Sequence, residues 1–323
     1  PAKVRLGAPN QPEQHYEAWE HRQLGNRGGG GRNVTTKHGV TLSYGELLAL
    51  AGDFYSSPEM VMNAPASELE AILRAMRQEA AEAEVSPQHR PTDKQMSQTT
   101  ADFQGATAWR ERPAFDGQGK ATGKKQGEVA GTDKDSFLGL ASNNASHYSP
   151  DNLEKNWRPL HHNALNLAKQ YHDEHKRVGG PPRPPPGAPH AEPAVEELPA
   201  GPQPAEDKFN QALMSDGFAC HFLTDAFSSG HLVSGNTGRQ VGAAFWKQHE
   251  RDIKGALWGA ATDDGTYIPS KVIEHPDFQK KVDSVCLKLV HDFLNGRPVT
   301  VMNKRGERWQ TQGDAHLGQA PET

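Results

Sequence analysis

The sequence predicts a mainly α fold, a multi-helix bundle with long irregular insertions and a small C-terminal β-hairpin. Three observations support this. Apolar residues recur at helical spacing in several separate stretches. Gly (32) and Pro (24) make up about 17% of the 323 residues while hydrophobic residues are only 34%, so sizeable loops must accompany one core. Near the C-terminus the pattern changes to strict alternation.

In chain order, residues 1–40 are polar and glycine-rich and read as an irregular lead-in to a single domain over 41–323. Ser43 and Glu46 form an N-cap and capping-box pair ahead of Leu47–Tyr55. Ser57 followed by Pro58 starts a short helical turn. Leu69, Ile72, Leu73 and Met76 mark a helix over 65–84. Residues 85–131 are poor in apolar residues and read as an insertion, a loop or lid anchored by Phe103, Trp109 and Phe115. A helix follows from about 150 to 176, interrupted or restarted at Pro159. The Pro-rich run 179–206 is an extended linker between helices of the same core. Further helices are expected at 205–229, 238–253 and 271–294, and Val299–Thr311 reads as a hairpin turning at Asn303–Gly306.

The charge balance narrows the partners. A net charge of -5 gives no basic surface for duplex nucleic acid. No run of about 18 apolar residues is present, so no membrane span is expected, and the first residues show no signal-like apolar segment. Two cysteines, Cys220 and Cys286, exclude a disulfide framework. The 16 histidines are the unusual feature, because imidazole is both a metal ligand and a proton carrier near neutral pH.

The chemistry centres on Ala219–His231. His221 and Asp225 are four apart in an apolar helical run, so their side chains leave one face a turn apart, and the Ser228-Ser229-Gly230 break lets His231 turn toward them. His147, His161 or His162, and Asp53 are candidates to complete a one- or two-metal site, with His249 in a further cluster. Asp225 is placed to bridge two cations. Asp53 stands among Ala, Leu, Phe and Tyr, where a carboxylate needs a metal, an arginine or a backbone donor, and it is either a ligand or the general base. A hydrogen-bonded His–Asp pair without metal accounts for the same spacing. His172 and His175 lie in a charged, solvated helix end, and His15, His21, His38, His89, His190 and His316 in polar stretches read as surface.

His221-x3-Asp225-x5-His231 resembles the central helix motif of the zinc-dependent phospholipase C and single-strand nuclease superfamily. That resemblance implies a helical fold holding one to three zinc ions and phosphodiester hydrolysis by a metal-activated water. The chain departs from the family in having His147 in place of a carboxylate at the interval leading to His161, no Trp at residue 1, and His249-Glu250-x-Asp252 instead of His-x3-Glu. These departures favour one or two metals. Leu42 to Tyr55, His221 to His231, and Val301-x-Asn303-x2-Gly306-x2-Trp309-x3-Gly313-Asp314 together resemble a bacterial phospholipase-like group, some members of which are toxins carried by contractile injection particles. The resulting expectation is a zinc phospholipase C-type hydrolase acting on phospholipid at a membrane surface, secreted or injected with the help of a particle or secretion partner. A zinc nuclease for single strands and a non-catalytic protein with a structural metal are the alternatives.

Overall fold

The computed structural model describes residues 18–29, 31–84, 93–141, 144–175, 204, 206–258, 294 and 298–311. Among these, ten α-helices and three two-stranded antiparallel hairpins form a mainly α fold. No described helix is long and apolar enough to cross a membrane.

Helix α1 (Ala18–Gly28) leads to strands β1 (Asn33–Thr35) and β2 (Thr41–Ser43), paired with Val34 opposite Leu42. An ordered helix and strand thus stand where the polar composition predicted an irregular lead-in. Helix α1 approaches its neighbour through its backbone at a glycine. A Cβ on Gly25 would come within 2.6 Å of Gly45 Cα, so the pair of glycines lets α1 lie directly against α2 (Tyr44–Leu50).

Helix α2 begins with the expected capping box: the Ser43 hydroxyl accepts from Glu46 N at 3.1 Å and Glu46 Oε2 accepts from Ser43 N at 2.9 Å. All seven of its residues are buried. Helix α3 (Pro58–Asn63) starts with Ser57 as N-cap and Pro58 in the first turn, and α4 (Ala66–Glu84) follows.

The expected loop over 85–131 contains, where described, helix α5 (Asp93–Thr107), a 3-10 turn, the hairpin β3 (Pro113–Phe115) and β4 (Ala121–Lys125), and the short helix α6 (Gln126–Ala130). One buried aromatic docks α5. Phe103 is buried against Phe54 and Phe137, the latter on α7 (Phe137–Ala141). Trp109 is half-buried, but Phe115 is 61% exposed and anchors nothing.

Helix α8 (Arg158–His175) is preceded by a π-helical stretch, Asn152–Trp157, where Pro159 lacks the N–H that would bond Lys155 O. Helix α9 (Lys208–Asp225) starts at Asp207, whose carboxylate accepts from Phe209 N and Asn210 N, and α10 spans Gly235–Trp258. The C-terminal hairpin β5 (Val299–Met302) and β6 (Arg308–Thr311) pairs Val301 with Trp309 as the alternation predicted. Most of the linker 179–206 and the helix expected over 271–294 lie outside the described residues.

One apolar core unites α2, α4, α5 and α9 through Leu47, Leu50, Leu69, Ile72, Met76, Phe103, Phe218 and Phe222. Each large side chain buried there contributes about 1.5–3 kcal/mol. The C-terminal end of α2 and that of α9 consequently meet, and the polar cluster lies at that junction.

Candidate metal centre

Six side chains converge at this junction: His21 from α1, Asp53 from the turn after α2, His147 from the 3-10 turn Asn144–His147, His221 and Asp225 from α9, and His231 from the 3-10 turn Ser229–His231. All are buried, and the least covered are His21 (8% exposed) and His231 (7%). Their donor atoms form three overlapping triads: His21, His221 and Asp225; Asp53, His147 and His221; and His147, Asp225 and His231. Within each triad the donor atoms lie within 4.8 Å of one another.

Asp225 is the hub. Its Oδ2 lies 2.8 Å from His147 Nδ1 and 3.3 Å from His221 Nε2, while Oδ1 lies 3.8 Å from both His21 Nε2 and His231 Nδ1. Each carboxylate oxygen therefore faces its own pair of imidazoles, the arrangement of a carboxylate spanning two neighbouring cation positions. Asp53 adds its charge on the Oδ2 side, with 3.5 Å from Oδ2 to His221 Nε2 and 3.9 Å from Oδ1 to His147 Nε2.

Hydrogen bonds outside the cluster set the tautomers. His221 Nδ1 donates to Leu48 O at 3.0 Å, leaving the Nε2 lone pair aimed inward. The Thr224 hydroxyl donates its single proton to His221 O at 2.7 Å, so at 3.1 Å it accepts from His21 Nδ1, and Nε2 is the nitrogen that His21 turns to the cluster. Burial, and then the neighbouring imidazoles of His21, His147 and His231, push His221 well below the ordinary histidine range, so it is neutral. A neutral His221 cannot balance two buried carboxylates. Protons on the other rings or a cation offset such charge, and an uncompensated buried carboxylate is too costly to persist.

The donor set fits a cation. Imidazole nitrogens and carboxylate oxygens are zinc-type ligands, and a tetrahedral site with bonds of about 2.0–2.1 Å sets its ligand atoms roughly 3.3 Å apart, the scale of the separations around Asp225. The backbone makes room for it. Gly52 has φ +75°, and a Cβ there would lie 2.6 Å from His147 Cε1 and Nε2 and 3.3 Å from His221 Nε2. Only glycine serves both the left-handed turn and this close approach.

Of the sequence-predicted residues, Asp53, His147, His221, Asp225 and His231 meet here. The Ser-Ser-Gly break acts as expected: α9 ends at Asp225, and Ser149 N donates to His231 O at 3.0 Å, tying the His147 segment to the His231 turn. His161, His162 and His249 are not in the cluster. His161 Nδ1 bonds Asp216 Oδ1 at 2.9 Å and its ring stacks on Trp157. Asp216 lies five residues before His221, about 7.5 Å along the helix, so α8 passes α9 too early to reach the ligand end. His162 is exposed on α8, and His249 is half-buried on α10.

His21, read from sequence as a surface residue, is the member of the cluster that the polar context concealed. Its signal was spacing, since His21 stands one helical turn before Gly25, the residue at which α1 lies against α2. Cys220 is a free, half-buried thiol that burial pushes up, so it offers no thiolate. No family model, no curated protein and no solved structure matches this chain.

Proposed function

We propose that the chain is a zinc-dependent phosphodiesterase of the phospholipase C type. The observation that carries this reading is the double-faced Asp225, with buried imidazoles opposite each of its oxygens in a His-x3-Asp-x5-His motif. Zinc held by His21, His147, His221, Asp225 and His231 would supply a polarised phosphoryl oxygen and a water acidified toward neutral pH. The remaining work belongs to the protein. Asp225 fixes the spacing of the two imidazole pairs, and Leu48 O and Thr224 hold the His221 and His21 rings in the tautomers that present Nε2. Asp53, beside the His147–His221 pair, is the acceptor for the proton of the attacking water. His21 and His231, the least covered rings, mark the side from which substrate approaches. Phospholipid as substrate, and secretion or injection as the route to it, follow from the sequence resemblance.

Metal analysis of the purified protein, followed by side-by-side assays on phospholipid and single-stranded DNA, tests this. At least one tightly held zinc per chain and release of a phosphorylated head group are expected. Cleavage of the DNA alone transfers the site to a nuclease. Bound zinc with neither activity makes it a structural centre, and a chain that takes up no zinc removes the proposal altogether.

A further inference from the structure

Behind the turn that carries Asp53 lies a second buried cluster, centred on Arg110, whose side chain is fully buried. Its guanidinium grips Glu68 with two parallel bonds, Nε to Oε2 at 3.0 Å and Nη2 to Oε1 at 2.7 Å. Tyr55 OH donates to Glu68 Oε1 at 2.6 Å and Trp109 Nε1 to Oε2 at 2.7 Å, so each carboxylate oxygen receives two donors. The guanidinium also lies over the Tyr55 ring, 4.4 Å from its centroid. Its remaining nitrogen reaches out of the cluster: Nη1 donates to Phe54 O at 2.6 Å and to Asp135 O at 3.1 Å.

We infer that the Arg110–Glu68 pair is a positioning device for the metal centre, holding the Gly52–Tyr55 turn so that Asp53 and the glycine cradle meet His147 and His221. This rests on the metal reading above. Phe54 and Tyr55, the two residues gripped, directly follow Asp53. From the other side the turn is closed by Gly52 N to Tyr55 O at 2.8 Å and Asp53 N to Ala51 O at 2.8 Å, and Ser56 N is held by Asp133 Oδ2 at 2.9 Å. Stability alone does not account for the pair. Well-packed apolar residues of similar volume stabilise a core as well as or better than a buried ion pair, whose particular contribution is fixed direction. Here the direction is toward the Phe54 carbonyl. A shift in that carbonyl moves Asp53 and the Gly52 backbone, where His147 leaves no room even for a methyl group.

The test uses the full chain and zinc affinity measured by competition with a chromophoric chelator, together with thermal unfolding of the chelator-stripped protein. The triple variant Tyr55→Phe, Glu68→Leu, Arg110→Met removes the charges and the phenol together and leaves no lone buried ion. Its zinc affinity is expected to fall 10- to 100-fold, the usual effect of losing a group that orients metal ligands, while it still unfolds cooperatively. A merely structural role lowers the unfolding temperature and leaves affinity below that temperature unchanged, and affinity within twofold of the parent in the folded variant overturns the inference. If the triple variant does not fold, Tyr55→Phe alone decides, because it removes one bond to Glu68 and keeps the ring. A loss of about threefold is expected there, and none overturns the inference. A parent chain that binds no zinc overturns both this inference and the metal reading, whereas a parent that binds zinc beside an unaffected variant overturns this inference only.

Discussion

Two buried charged clusters flank the single turn Ala51–Tyr55, and they are built on opposite principles. Behind the turn, Glu68 meets a guanidinium, a phenol and an indole N–H, so every acceptor is matched within the protein. In front of it, Asp53 and Asp225 meet imidazoles, at least one of which burial keeps neutral and two of which are set by their outer hydrogen bonds to turn Nε2 inward. The rear cluster pairs its carboxylate with a permanent cation, whereas the front one sets its carboxylates against imidazoles, whose charge depends on a proton.

The comparison breaks most readily at Asp225. Asp225→Asn removes the shared negative charge and replaces one of the two carboxylate oxygens with an NH2 that cannot coordinate, and zinc affinity and hydrolysis are both expected to fall more than about 100-fold. Equilibrium dialysis with metal analysis, run beside the activity assay, checks this. A variant that keeps its zinc would make the front cluster a proton-balanced network like many structural ones. Next in size is Gly52→Ala. The left-handed φ costs an alanine about 1–2 kcal/mol, and its methyl group would displace His147. A fall of about tenfold in zinc affinity is expected together with a lower unfolding temperature. The paired substitutions His21→Ala and His161→Ala separate the proposed ligand set from the sequence-predicted one. The first is expected to weaken zinc binding about tenfold or more, and the second to leave it unchanged while loosening α8 from α9.

How much of this was legible in the sequence depended on how local each signal was. The capping box at Ser43 and Glu46, the turn at Pro58, the C-terminal hairpin and the His221–Asp225–His231 motif are short-range patterns, and each stands where the residues predicted. Asp53 was conspicuous because an acid in an apolar run demands a partner. The unread features were those decided by packing between distant segments. Helix α1 has almost no apolar stripe and docks through the backbone at Gly25, so its composition resembled a loop and His21 a surface residue. Helix α5 is polar except for the Phe103 side, yet that one aromatic, buried between Phe54 and Phe137, is enough to order it. His161 and His147 were both offered as partners of α9, and spacing alone could not say which would arrive level with His221. The Arg110 cluster left no local trace, since Tyr55, Glu68 and Arg110 come from three separate elements.

Glu46 provides the smallest and most controlled test of how this protein treats a buried carboxylate. Its side chain is 4% exposed, and burial on its own would raise its pKa. The hydrogen bond from Arg77 at 2.8 Å, that from Ser43 N and the charges of Arg77 and Arg22 outweigh burial and hold it below the ordinary glutamate range. It therefore behaves like the matched rear cluster rather than the front one. Because the folded-state pKa is depressed, the stabilisation is fully present above the unfolded value of about 4.5 and is lost as pH falls through the lower, folded value. Glu46→Gln retains one side-chain oxygen that can accept from Ser43 N but loses the charge. At neutral pH it is expected to cost about 1 kcal/mol, limited because Arg77 is 54% exposed and screened by solvent. Thermal unfolding of parent and variant across pH 3 to 7 should show curves separated above about pH 5 and converging toward acid. A constant separation would mean that Glu46 acts through packing rather than charge, and would place it with neither cluster.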